Sequence, residues 1–165
     1  MSNINHEKYK NALLFFLNNC SGEVGITKLN KLFYYLDFIS YRDRGQSVTG
    51  ETYLSMPRGP FAKNLENTII KEATVEKLIT GEEEPSIYFS RKTRFSSIVE
   101  ANLSVFDEYE IKLLEHICNE FGDKTARELI ARTHLEAPWV YSEENKPLDY
   151  KLASDIELFE DLQIA

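Results

Sequence analysis

The segment from Lys28 to Arg44, KLNKLFYYLDFISYRDR, restricts what this chain can fold into more than any other part of it. Leu29, Leu32, Phe33 and Leu36 fall on one face at helical spacing, and Tyr34, Tyr35, Phe38 and Ile39 put apolar area on the others. A helix that is apolar nearly all round has to be enclosed on every side. The rest of the chain must therefore supply elements that wrap it. Thr27 is placed to cap its start, and Gly45 to end it in the left-handed conformation. A second pattern runs through the same helix. Asn30, Tyr34, Asp37, Tyr41 and Arg44 recur at i, i+4, i+7, i+11 and i+14, a polar and aromatic stripe. Asp37 sits between Leu36 and Phe38, where burying an unpartnered carboxylate costs several kcal/mol. It is expected to be largely buried against a hydrogen-bonding or cationic partner, with Arg58 and His134 as candidates.

The chain of 165 residues suits a single domain, 1–165, that buries about 70% of its unfolded surface. Ten Phe and nine Tyr supply core material and argue against intrinsic disorder. Nineteen basic residues against twenty-seven acidic ones give a net charge of −8, which repels phosphate backbones. With no basic patch to override that sum, no nucleic-acid partner is expected. The amino terminus lacks the order of a signal peptide, and no apolar run approaches the roughly 20 residues that span a bilayer. A cytoplasmic protein with no membrane partner is the expectation. Cys20 and Cys118 are nearly a hundred positions apart. Sequence alone leaves a disulfide open, and a reducing compartment favours two free thiols.

Periodicity and turn residues give a map of the remainder. Tyr9 to Asn19 reads as an amphipathic helix, and Ser47 to Met56 as a turn at Thr49-Gly50 followed by a strand. TYLSMPRGPFAKNLE reads as that strand passing through a Gly-Pro corner into a helix from Phe61 to Leu78, with Pro60 at its first position. Gly81 and Glu82 to Glu84 read as an exposed loop. Ile87, Tyr88 and Phe89, with RKTR and Phe95, suggest a second strand pairing with the first. Asp107 and Glu110 have capping-box spacing ahead of Ile111, Leu114, Cys118 and Phe121, and Asp123 or Thr125 starts another helix that runs to about Thr133. A last helix is expected to carry Ile156, Leu158 and Phe159. The fold class is α+β, mainly α: a helical domain around a central buried helix with a small inserted antiparallel β element.

Little in this map carries catalytic chemistry. Strand, glycine and helix start is the order of a phosphate cradle, but Pro60 removes a donor and Phe61 is bulky. His6, His116 and His134 have no metal-ligand spacing, so no metal and no cofactor are expected. Neither cysteine has the surroundings of an activated nucleophile. Lys124, Arg127 and Arg132 share their helix with Glu128, which fits a helical hairpin better than a DNA-reading motif. Arg58 remains as a charge at the strand exit. The loop HLEAPW gathers His134, Pro138 and the only tryptophan, Trp139.

The stretch KLNKLFYYLDFISYRDRGQSVTGETYLSMPRGPF resembles the signature of the Panacea-domain, SocA-like antitoxins: a KL-x-KL-x-Y helix, an aspartate, a tyrosine, Gly45, the V-T-G turn, a strand and then G-P. The loop with His134, Pro138 and Trp139 is similar to that family's second hallmark. Arg58 stands where many relatives carry an aromatic residue. The resemblance implies a bacterial or phage protein that neutralises a toxin encoded beside it, with no cofactor and no catalysis. It makes Asp37, Tyr41, Gly59, Pro60, His134 and Trp139 the signature cluster, and puts His134 and Trp139 against the central helix near Tyr34 to Tyr41. Partner choice then falls to exposed groups, with Tyr34, Arg58, Tyr88, Arg91 and Arg94 as candidates. An adaptor that hands a bound protein to a protease is the alternative function. An enzyme using Asp37, Arg58 and His134 is a further one, and requires those three to converge on an open pocket.

Overall fold

The central helix, α2 (Ile26–Arg44), is buried continuously from Lys28 to Ser40, polar residues included. The computed structural model describes residues 3–85 and 92–162. Gly45 ends α2 with φ +75°, as its left-handed role requires. The start differs from expectation: Gly25, not Thr27, is the N-cap, in extended conformation with no side-chain cap bond. Gly25 forms a β-bridge with Arg94, which holds it extended and leaves Thr27 inside the first turn.

Helices and short strands wrap α2. Helix α1 (His6–Asn19) is capped by Asn5 and buries Tyr9, Leu13 and Phe16, with Tyr9 and Phe16 against the Phe33 ring at 4.7 and 5.1 Å. Strands β1 (Tyr53–Met56) and β2 (Gly59–Ala62) pair antiparallel through the turn at Pro57-Arg58. The Gly-Pro corner is thus the return strand of a hairpin and not a helix start. Tertiary contacts override local propensity here. The Ala62 N–H donates to Asn30 Oδ1 at 2.6 Å, the Pro60 carbonyl accepts from Lys31 Nζ at 3.0 Å, and the Lys63 N–H donates to the Thr52 carbonyl. Pro60 is tolerated because a two-stranded sheet has only edge strands. Helical structure begins later, with π-helical turns over Leu65–Ile70 that lead into α3 (Lys71–Val75).

The acidic run is a strand, not a loop. Strand β3 (Ile79–Glu84) pairs antiparallel with β4 (Lys92–Ser97), opposing Glu82 to Arg94 and Glu84 to Lys92. Opposite charges directly across a ladder stabilise it, so the glutamates are β-compatible only because of the basic run opposite. Strand β4 pairs with β3 and not with β1 as expected. It is tied to the core by the Phe95 N–H, which donates to the Val24 carbonyl. The expected strand residues Ile87, Tyr88 and Phe89 lie outside the described residues.

Helices α4 (Glu108–Phe121) and α5 (Ala126–Thr133) each begin with a capping box, Asp107 with Glu110 and Thr125 with Glu128. Both pack on α2 rather than chiefly on each other, and the short α6 (Ala137–Val140) follows. The expected last helix is absent among the described residues. A 3₁₀ segment, Tyr150–Asp155, leads into irregular chain in which Phe159 has φ +53°. The Arg42 guanidinium, reaching from α2, donates to the carbonyls of Ile156, Leu158 and Phe159 and ties this irregular segment to the central helix. Among the described residues the architecture is mainly α with two small antiparallel two-stranded sheets, in agreement with the expected α+β, mainly α class.

Candidate functional site

The polar residues of α2 are joints between elements. Asp37 is fully buried, and its Oδ1 accepts the Val48 and Thr49 N–H groups at 2.8 Å each. Its Oδ2 accepts the Thr49 and Tyr53 hydroxyls at 2.6 and 2.5 Å. Burial raises its carboxyl to about 6, against the pull of those donors. Its partners are thus the V-T turn and β1, not Arg58 or His134. Arg58 lies on the exposed hairpin turn, and its charge adds to the effect of burial, which lowers the Lys31 ammonium to about 7. The rest of the stripe is used the same way: Tyr41 packs on Tyr150, and Arg44 pairs with Asp107 at 2.7 Å. Glu51, which sequence reasoning missed, is a second buried hub. It accepts the Tyr9 hydroxyl at 2.6 Å and both the backbone and side-chain N–H of Asn64 at 2.8 Å.

The HLEAPW loop reaches α2 through a residue that was not singled out. Glu136 accepts the Tyr34 hydroxyl on Oε1 and the Tyr35 hydroxyl on Oε2, each at 3.1 Å, with Arg132 Nε 3.8 Å away. Its acidic character hid it, because no periodicity marks one glutamate in a loop as the partner of two tyrosines a hundred residues earlier. His134 stacks on Trp139 with ring centroids 4.0 Å apart, and Trp139 Nε1 donates to the Met56 carbonyl at the β1–β2 turn. The two signature regions therefore meet, through Glu136 at α2 and through Trp139 at the hairpin. His134 Nε2 is buried without a hydrogen-bond partner. Tyr34, a candidate for the partner surface, is fully buried and points its hydroxyl at Glu136.

Burial raises Glu136 from 4.5 to about 7, opposed by the tyrosine hydroxyls and Arg132. A carboxyl raised in the folded state contributes stability below its unfolded value, and that contribution is lost as pH climbs to the folded one. Glu136→Gln is therefore expected to gain on the parent chain by about 2 kcal/mol between pH 5 and pH 8. Thermal melts of both chains across that range check this. A difference that stays flat would put the titration of Glu136 elsewhere.

Solvent meets this region in a cleft of about 540 Å³ lined by Arg132, Leu135, Glu136, Val140, Tyr141, Asp155, Ile156 and Glu157. Leu135 is 83% exposed, Tyr141 75% and Val140 48%, an apolar cluster open to water. Asp37, Arg58 and His134 line neither this cleft nor the other main one, beside Cys118. Asp37, being fully buried, does not face open solvent beside the other two. Arg94 sits on the β3–β4 hairpin in ion pairs with Glu23 and Glu82 at 3.3 and 3.1 Å. Tyr88 and Arg91 lie outside the described residues. Among the described residues, no group of three or more His, Cys, Asp or Glu could hold a metal ion, and no helix is long and apolar enough to cross a membrane.

Residues 29–140, from the start of the Leu29 face to the end of α6, match the family model of the antitoxin SocA-like Panacea domain. The match covers more than half of the chain. The chain belongs to the SocA-like Panacea-domain antitoxin family. No curated protein and no solved structure matches it. Within this Panacea domain, Gly59 has φ +95° and Pro60 hands its carbonyl to Lys31, so both signature residues serve the seat of the hairpin on α2. Lys28 and Lys31, the lysines of the KL-x-KL motif, are both buried and end on the Gly122 and Pro60 carbonyls at 2.6 and 3.0 Å.

Proposed function

We propose that this protein is an antitoxin that neutralises a cognate protein toxin by binding it directly, at the open surface formed by Leu135, Val140 and Tyr141. The observation that carries the antitoxin role is the family match across residues 29–140. Two features support the choice of surface. Interfaces take most of their energy from a few anchors, often aromatic, at a patch that sheds water easily, and this cluster is apolar, exposed and rooted on the Glu136 cluster. Its rim carries Asp155 and Glu157 on a chain of net charge −8, which suits a toxin segment that is apolar with flanking lysine or arginine and speeds its association. Arg94 on β4, in ion pairs with Glu23 and Glu82, marks the competing surface.

The test is co-expression with the toxin encoded beside the gene. The parent chain should restore growth with toxin protein still present. Leu135→Asp and Tyr141→Asp together should abolish rescue, because they place charge on the apolar cluster, while the melting temperature stays within a few degrees. Toxin that disappears during rescue would mean delivery to a protease, not blocking. Rescue that survives the pair but is lost on Arg94→Ala would move the interface to the hairpin.

A further inference from the structure

Cys20 and Cys118 are 98 residues apart in sequence, yet their sulfurs lie 3.8 Å from each other where the end of α1 meets α4. The two backbones are close at this point: a Cβ placed on Gly122 would lie 3.4 Å from Cys20 Cα. Cys20 is the C-cap of α1, already extended at φ −78° and ψ 129°, so it is not held by the helical ladder on its carboxyl side. Both thiols are free and half-buried. Cys118 lines an open cleft of about 630 Å³ with Phe15, Asn18, Asn19, Glu115 and His116, which gives a small polar oxidant a route to the pair.

We propose that Cys20 and Cys118 are a thiol modification site, closed to an intramolecular disulfide by a hydroperoxide. Against the reading from sequence, which gave neither cysteine activating surroundings, the fold brings Cys118 and Lys28 beside Cys20: the hydrogen bond with Cys118, opposed by burial and helped by the Lys28 ammonium, lowers the Cys20 thiol below its ordinary value and favours its thiolate. The Cys20 thiolate attacks one peroxide oxygen and breaks the O–O bond. Cys20 becomes a sulfenic acid, and the other oxygen leaves as water or an alcohol after taking a proton. The Cys118 sulfur then attacks the Cys20 sulfur, the S–O bond breaks, and hydroxide departs as water with the Cys118 proton. The peroxide is reduced and the two thiols are oxidised by two electrons. From 3.8 Å, side-chain rotation with a small shift at the α1 end brings the sulfurs to bonding distance. The bond would bolt α1 to α4 across a long loop, where a crosslink constrains the unfolded chain most. This inference does not depend on the antitoxin reading.

The test uses the full chain at micromolar concentration, treated with hydrogen peroxide near equimolar and then unfolded and alkylated. Intact mass should show loss of two hydrogens with no alkylation at either cysteine. Peptide mapping should join Cys20 to Cys118, and the melting temperature should rise and return after reduction. Cys118→Ser should stop at oxygen adducts on Cys20. Independent oxygen adducts on both thiols of the parent, or crosslinked dimers in place of the internal bond, would overturn the proposal. Cys20→Ala and Cys118→Ala, compared with the parent by thermal melt before oxidation, show whether loss of either thiol disturbs folding on its own.

Discussion

Asp37→Ala is expected to destabilise the fold by about 3 to 4 kcal/mol, and so to lower the melting temperature by about 10 °C for a chain of this size. The carboxylate receives two backbone N–H groups and two hydroxyls, all from Val48, Thr49 and Tyr53, in a fully buried site. Alanine leaves all four donors without their acceptor. The hydroxyls can turn to other oxygens, but the Val48 and Thr49 amides are fixed by the turn and bear most of the loss. Relief from burying the carboxylate, whose proton is held up to about 6, limits the total. The conservative variant Asp37→Asn offers the discriminating comparison. Its remaining side-chain oxygen still accepts both amides, so its loss should be about 1 kcal/mol. Equal losses for the two variants in denaturant melts would mean that charge, not the position of an acceptor, holds the V-T turn to α2.

Gly59→Ala should cost about 2 to 4 kcal/mol, from two separable causes. At φ +95° an L side chain is strained by about 1 to 2 kcal/mol. The added Cβ would also lie 2.7 Å from Thr133 Oγ1 and 2.9 Å from Lys31 Cε. Neither neighbour yields easily, because Thr133 is fully buried and Lys31 is anchored on the Pro60 carbonyl. Overpacking of this kind costs about 1 to 3 kcal/mol. Gly45→Ala isolates the first cause, since Gly45 has φ +75° with open space around it. A Gly59→Ala loss no larger than that of Gly45→Ala would show that the β2 seat relaxes around the methyl group.

The elements set by local spacing were legible in the chain: α1, α2 with its Gly45 stop, the Asp107–Glu110 capping box of α4, and a start for α5 at Asp123 or Thr125, of which Thr125 is the cap. What misled was set by partners far away in sequence. Gly59-Pro60-Phe61 carries every local sign of a helix start, and only Asn30 and Lys31, reaching from α2, make it a strand. Glu82 to Glu84 look like solvated loop until the basic run opposite is laid against them. Ile156, Leu158 and Phe159 have helical spacing, but lie in irregular chain that Arg42 ties to α2. The candidate site was legible to a similar depth. A buried carboxylate on an apolar helix announced that Asp37 needed partners, without saying that they would be backbone amides. Nothing local announced Glu136, whose role comes from the burial of Tyr34 and Tyr35.

The central helix also has a consequence for how the protein is made. Residues 26–44 leave the ribosome well before the groups that complete their cover: Glu136 reaches Tyr34 and Tyr35 across separations of 102 and 101 residues. Tyr150 covers Phe38, and Arg42 waits for carbonyls beyond residue 155. At translation rates of about 5 to 20 residues per second, the buried central helix of the nascent chain stays incompletely covered for roughly 5 to 20 seconds. A message or chain cut short before α5 lacks the Glu136 and Tyr150 covers and leaves the Tyr34, Tyr35 and Phe38 part of that helix open, a form that chaperones and proteases recognise. The supply of folded protein is thus tied to uninterrupted translation past Glu136, Tyr150 and the carbonyls that Arg42 takes.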